Sequence, residues 1–236
     1  MNAAAGSPAY EQKGEILSSG RSPMAHLLHA LNQPLTGLQC SLELALTGSR
    51  TPEQYIRTLR EGLQLTERMR ALVEALRELA DMEQQAAEQY EVVGLETLLR
   101  ETVDDLLPVA EEREIRIEFQ SDAQLPVWAG RRRLAAVVFR FLESALSLAA
   151  MQSVFRVTTK SEGKDACVEV LWTDAASAPD HSPFSPPELG LLIARAGWSK
   201  AGAVWTSEQT GGIQNITIRL PLSSKTRPLQ PVNTEI

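Results

Sequence analysis

Apolar residues between positions 24 and 45 recur at alternating steps of four and three. They are Met24, Leu28, Leu31, Leu35, Leu38, Leu42 and Ala45. This spacing lines one face of a helix and is typical of a helix packed in a bundle or coiled coil. Ser22 and Pro23 form a typical helix start, with serine as the N-cap and proline at the first helical position. The first helix is therefore predicted to begin here and to end near Thr47.

A second helical pattern follows after a short loop. Thr51 and Pro52 repeat the start signal, and the pattern continues to about Gln89. Its apolar positions are Ile56, Leu59, Leu63, Met69, Leu72, Leu76 and Leu79. Two long helices joined by a short loop form an antiparallel hairpin. One hairpin leaves apolar surface uncovered, so we predict a homodimer in which two hairpins form a four-helix bundle. The alternative is that a second domain folds back over the hairpin.

His29 lies beside the apolar seam, on the side that faces solvent when Leu28 and Leu31 occupy the core positions. The neutral imidazole of a histidine is available as a nucleophile near pH 7. His26 lies three residues earlier, but no carboxylate or cysteine accompanies the pair, so no metal site is predicted. A solvent-exposed histidine of this kind is either an ordinary surface residue of a bundle helix or a reactive residue of a functional site.

Residues 29–35, HALNQPL, resemble the phosphoacceptor box of sensor histidine kinases, which reads His-Glu-x-x-(Thr, Asn or Gln)-Pro-Leu. The resemblance implies that His29 is the phosphorylated residue. It implies that Gln33 is the polar residue four positions on, which could orient a water for receiver dephosphorylation. Ala30 replaces the acidic residue of the family. We expect this loss to harm self-phosphorylation from ATP more than exchange with receivers.

Length, charge and hydropathy limit the class of protein. A chain of 236 residues suits one or two domains, and a net charge of −7 argues against nucleic-acid binding. No secretory signal is found at the N-terminus. The most apolar run, 134–151, contains Arg140 and Glu143 and is too interrupted to span a membrane. The sequence therefore predicts a soluble, cytoplasmic protein.

The pattern changes from Tyr90 onward. Strands are predicted at 90–93, 115–119, 154–158, 168–172, 203–206 and 213–220, and helices at 95–110, 131–150 and 188–200. This mixture predicts an α/β sandwich with helices on one face of a mixed sheet. The expected domains are a disordered tail at 1–21, the hairpin at 22–90, the sandwich at 91–222 and a tail at 223–236.

This order of elements resembles the ATP-binding domain of histidine kinases. RFLESA at 140–145 corresponds to the family's Asn-Leu-Leu-x-Asn-Ala, so Ser144 replaces the asparagine that holds magnesium in the family. DAASA, which begins at position 174, corresponds to Asp-x-Gly-x-Gly. Asp174, the family's adenine contact, is kept, but Ala176 and Ala178 replace both glycines.

Two further boxes complete the resemblance, which covers about residues 22–222. ELGL at 188–191 corresponds to Gly-Leu-Gly-Leu and keeps only the second glycine, Gly190, while ITIRLP at 216–221 matches the last strand. Alanine methyl groups hinder close approach of phosphates to the backbone, and Glu188 would repel a triphosphate. We therefore expect ATP binding to be lost or very weak.

The combined features predict a dimeric histidine phosphotransfer protein that acts between receiver domains. His29 would take a phosphoryl group from a receiver's phosphorylated aspartate and pass it to another receiver, with Mg²⁺ bound by the receiver. No cofactor or metal of its own is predicted. Two alternatives remain: an active ATP-dependent histidine kinase with divergent nucleotide boxes, and a non-catalytic dimeric adaptor for response regulators.

Overall fold

The computed structural model describes residues 23–84, 89–121, 124–175 and 185–223. The elements in chain order are α1 (Pro23–Leu46), α2 (Pro52–Gln84), β1 (Glu91–Gly94), α3 (Leu95–Glu112), β2 (Arg116–Ser121), β3 (Pro126–Ala129), α4 (Arg131–Leu148), β4 (Val154–Glu162), β5 (Asp165–Thr173), α5 (Pro186–Lys200), β6 (Val204–Thr210) and β7 (Ile213–Pro221). The short strand β3 was missed by the sequence analysis. The second helix was predicted to end near Gln89, and residues 85–88 lie outside the described residues. The predicted tails also lie outside them, apart from Ser223.

Helices α1 and α2 form the predicted antiparallel hairpin. At the start of α2, the backbone N–H of Thr51 donates to Gln54 Oε1 over 2.9 Å, and the N–H of Gln54 lies 3.4 Å from Thr51 Oγ1. This reciprocal arrangement is a capping box, which satisfies donors that the first turn leaves free. The two helices pack closely at Gly62, where an added Cβ would lie 3.2 Å from Leu38 Cδ1.

The predicted apolar seam of α1 separates into two columns. Met24, Leu31, Leu38 and Ala45 are half-buried in the single chain, whereas Leu28, Leu35 and Leu42 are 51%, 52% and 47% exposed. The apolar positions of α2 separate in the same way. Met69, Leu72, Leu76 and Leu79 are buried or half-buried, and Ile56, Leu59 and Leu63 are exposed. We call the exposed set, Leu28, Leu35, Leu42, Ile56, Leu59 and Leu63, the outer stripe.

The rest of the chain forms the predicted α/β sandwich, which we call the second domain. Five strands lie in the order β2-β4-β5-β7-β6, and β2 is parallel to β4 while the other pairs are antiparallel. Strands β1 and β3 form a separate antiparallel pair. The core between sheet and helices includes Phe141, Phe155, Trp172 and Trp198, all 2% exposed or less. None of the helices in the described ranges is long and apolar enough to cross a membrane.

Helix α5 also contacts the hairpin. This contact corresponds to the alternative in which a second domain folds back over the hairpin. A second buried cluster joins the two parts, and we call it the interdomain cluster. It contains Leu27, Ala30, Leu72, Ala75 and Leu79 from the hairpin and Leu189, Leu192 and Ile193 from α5. The second domain therefore covers one face of the hairpin and leaves the outer stripe exposed.

Candidate functional site

His29 and Gln33 are exposed on α1, one turn apart. Successive residues of an α-helix are rotated by about 100°, so Gln33 lies about 40° from His29 around the helix. The neighbours Leu27 and Ala30 are 0% and 1% exposed and face α2 and α5. Helix α1 continues through Pro34, which is buried. The imidazole is thus displayed to solvent on a helix whose other side is packed.

Ser144 and Gly190 meet where α4 packs against α5. Ser144 is 4% exposed, and a Cβ added to Gly190 would overlap Ser144 Oγ and lie 3.1 Å from Ser144 Cβ. The hydroxyl of Ser144 therefore lies against the α5 backbone. The Ser144 hydroxyl is directed at α5, and the absence of a side chain at Gly190 allows α4 and α5 to pack closely.

The first turn of α5 has no free backbone donor. Pro186 and Pro187 occupy its first two positions and carry no N–H group. The Glu188 N–H faces the Ser185 side chain in a capping box, and the N–H of Ser185 donates to Glu188 Oε2 over 3.2 Å. Helix N-termini bind phosphates through such N–H groups. This helix start has already used or lost all four of them.

The carboxylate of Glu188 has a structural role that the sequence analysis did not identify. It accepts a hydrogen bond from the backbone N–H of Ser185 over 3.2 Å, which completes the capping box. The Ser-x-x-Glu spacing at 185–188 was a visible signal for this role. Glu188 thus places a negative charge at the helix N-terminus and occupies a backbone N–H donor there.

Asp174 lies immediately after β5 and forms a bridge with Ala149 at the end of α4. Its Oδ2 atom accepts a hydrogen bond from Gln209 Nε2 over 3.1 Å. Ala176 and Ala178, which replace the expected glycines, lie outside the described residues. Three residues were predicted as remnants of a nucleotide-binding site. The structure brings Ser144 and Gly190 into contact and places Asp174 at the end of a strand.

Arg140 occupies the position of the first asparagine in the family's Asn-Leu-Leu-x-Asn-Ala box. Its guanidinium forms a salt bridge with Glu78 of α2, and its Nη1 atom lies 3.6 Å from Glu143 Oε2. No pattern in the sequence indicates this partner on the hairpin. Arg140 therefore links the second domain to α2.

A cavity of about 730 Å³ lies between the hairpin and the second domain. Its lining is Glu78, Asp81 and Met82 of α2, Arg132, Arg133, Ala136, Val137 and Arg140 of α4, and Ile193 and Ala194 of α5. Ser144, Asp174 and Gly190 are not part of this lining. Within the described ranges, no group of three or more histidine, cysteine or acidic residues is arranged to hold a metal ion.

Comparison with known proteins identifies the hairpin. Residues 24–85 match the model of the His Kinase A (phospho-acceptor) domain family. This match confirms the resemblance found at residues 29–35. A search of curated proteins finds no match.

Solved structures of histidine kinases share the fold over most of the chain. The complex of histidine kinase ThkA with response regulator protein TrrA matches with a TM-score of 0.58 and 20% identity, covering 93% of this chain and 67% of that one. Full-length ShkA in complex with AMPPNP matches with a TM-score of 0.55 and 18% identity, over 87% of this chain and 47% of ShkA. Acinetobacter baumannii histidine kinase AdeS matches with a TM-score of 0.53 and 18% identity, over 82% of this chain and 98% of the AdeS chain.

We predict that Gly190→Ala destabilises the protein, because the new methyl group overlaps Ser144 Oγ on the facing helix. Overpacking of this kind typically costs about 1–3 kcal/mol. Chemical denaturation followed by circular dichroism would measure the change. Gly48→Ala is the matched control, since a Cβ added at Gly48 meets no atom within 4 Å. Equal stability of the two variants would contradict the close packing at Gly190.

Proposed function

We propose that this chain is a histidine kinase-like protein of two-component signalling and acts as a dimeric histidine phosphotransfer protein between receiver domains. The observation that carries the proposal combines two features. His29 of the phosphoacceptor domain is exposed, whereas the helix start that would bind the phosphates of ATP has no free N–H group. An exposed acceptor, together with a helix start that offers no N–H group to phosphates, favours a phosphoryl donor from outside the chain.

The proposed reaction is an in-line displacement at phosphorus. A ring nitrogen of His29 attacks the phosphorus of a receiver's aspartyl phosphate, the new P–N bond forms, and the P–O bond to the aspartate breaks. The aspartate leaves as a carboxylate, and the Mg²⁺ bound by the receiver neutralises the charge on the phosphoryl oxygens. The reverse reaction with another receiver returns the imidazole to its free form. The chain's own contribution is to present the imidazole and to leave space around it.

A response regulator is the partner that the comparisons favour. The ThkA structure that shares this fold holds a response regulator protein. In the present chain, His29 and Gln33 lie on an exposed surface of α1 that a receiver could approach. We assign Gln33 to the orientation of water for dephosphorylation of the receiver, because its amide lies on the same surface one turn from the acceptor.

The outer stripe supports the proposed homodimer. It presents Leu28, Leu35 and Leu42 on α1 beside Ile56, Leu59 and Leu63 on α2, all between 47% and 66% exposed in the single chain. Contiguous apolar surface of this kind marks an interaction site. Pairing of two hairpins along the stripe would complete a four-helix bundle and leave His29 outside it.

The dimer is tested by Leu35→Asp and Leu42→Asp. Each would bury an unpaired charge in the bundle, and a loss of several kcal/mol lowers the dimer affinity by at least about 100-fold. Analytical ultracentrifugation of the full chain measures this. Val204→Asp is the control, because Val204 is 61% exposed on β6 of the second domain and is not part of the outer stripe. A parent protein that stays monomeric at high concentration would refute the dimer.

For ATP we predict a Kd no tighter than about 1 mM, which corresponds to about −4 kcal/mol. Titration calorimetry with Mg·ATP measures it, and a micromolar Kd would contradict the prediction. Glu188→Gln separates two causes, because glutamine can keep the capping box while it removes the negative charge. We expect no gain in affinity from this change, since the missing N–H donors remain missing. A large gain would show that repulsion alone excludes ATP.

His29→Ala should abolish transfer from a phosphorylated receiver and leave folding intact, because an exposed side chain makes few packing contacts. His26→Ala is the matched control and should transfer as the parent does. Gln33→Ala should change the rate of receiver dephosphorylation more than the rate of transfer. A radiolabelled receiver and gel analysis at neutral and acid pH provide the measurement. Phosphate on the His29→Ala protein, or none on the parent with any receiver, would favour the adaptor alternative.

A further inference from the structure

Helix α5 is shared by two buried clusters. Leu191, Ala194 and Trp198 belong to the core of the second domain. Leu189, Leu192 and Ile193 belong to the interdomain cluster with the hairpin. A helix that is apolar on more than one side is stable only when it is covered on those sides. Separation of the two parts of the chain would therefore expose the hairpin-facing side of α5 to water.

Gly197 shows how closely three helices meet at this contact. A Cβ added there would overlap Val137 of α4 and lie 3.1 Å from Met82 Cε of α2. A larger residue at this position would displace the Val137 side chain, and the Met82 side chain would have to give way by a few tenths of an ångström. The absence of a side chain therefore lets α5 approach both α4 and the hairpin at once.

Two polar contacts connect the same surfaces. Arg140 of α4 forms its salt bridge with Glu78 of α2. Lys200, in the last turn of α5, donates from Nζ to the Met82 carbonyl over 2.6 Å. A cation at the C-terminal end of a helix is favourable, because the last carbonyl groups there carry partial negative charge. Both contacts involve residues of the second domain that reach the C-terminal half of α2.

We infer that the second domain is a fixed support for the phosphoacceptor helix, docked through α5 and Arg140 independently of nucleotide. We call this contact between the second domain and the hairpin the dock. Arg140 takes part in it from the position that corresponds to the first residue of the Asn-Leu-Leu-x-Asn-Ala box that residues 140–145 resemble. The dock holds Leu27 and Ala30, the buried residues on either side of His29 in sequence. His29 lies about 100° around the helix from Ala30 and faces away from α5. The dock thus fixes the backbone under His29 while its imidazole stays open to a partner.

Hydrogen exchange on the full chain tests the dock without any receiver. We expect the amides of the segment 24–34, in which Pro34 carries no N–H group, to exchange equally with and without millimolar Mg·ATP. Arg140→Glu should speed their exchange by about two- to fivefold, the change that loss of an exposed ion pair typically gives. The double variant Arg140→Glu/Glu78→Arg re-forms the pair with reversed charges and should restore much of the protection, although the new carboxylate still lies near Glu143. Exchange in β4 and β5 should stay unchanged, which shows that the second domain remains folded.

Arg156→Glu is the matched control, because Arg156 pairs with Glu118 inside the second domain and is similarly exposed. It should leave the exchange of 24–34 unchanged. The inference is overturned if Arg140→Glu leaves the exchange rate of 24–34 unchanged, or if it acts no differently from Arg156→Glu. It is also overturned if the double variant fails to restore protection, or if Mg·ATP changes the exchange rate of 24–34 in the parent.

The role in positioning His29 rests on the proposed function and has its own readout. At saturating phosphorylated receiver, Arg140→Glu should slow transfer to His29, and the double variant should restore the rate. Unchanged transfer together with faster exchange at 24–34 would overturn the positioning role. If the parent accepts no phosphate from any receiver, the proposed function fails, and the exchange experiment still decides whether the dock exists.

Discussion

The structure depends on the burial of α5 between the second domain and the hairpin. Full burial of a leucine or isoleucine side chain contributes about 1.5–3 kcal/mol, whereas an exposed ion pair typically contributes about 0.2–1 kcal/mol. Leu189, Leu192 and Ile193 therefore supply most of the contact energy, and the salt bridge between Arg140 and Glu78 mainly sets how the two parts are oriented. Without this contact, one face of α1 beside His29 would be exposed.

The start of the same helix differs from one that could hold a phosphate. A helix start can hold an anion only while its first N–H groups are free. In α5, two prolines and a capping box leave none, and Ser144 is buried against Gly190. These features stabilise the helix and its packing. The sequence of the second domain thus favours a well-capped, docked helix over a phosphate-binding one.

Much of this fold was predictable from the sequence, and the failures have identifiable causes. The hairpin, the sandwich and the exposure of His29 followed from apolar periodicity and helix signals. The four-residue strand β3 is too short for a clear pattern. The division of the α1 seam into buried and exposed columns depends on which neighbour covers each column. The partner of Arg140 lies 62 positions away in sequence, so no local pattern could reveal it.

We propose that His29 receives its phosphate from a receiver and not from ATP. This source of phosphate is tested by supplying the full chain, in parallel, with radiolabelled ATP and with a radiolabelled phosphorylated receiver, and by mapping the labelled residue by mass spectrometry. We expect label on His29 from the receiver and none from ATP alone. Label on His29 from ATP in the absence of any other protein would show that the chain is an active kinase.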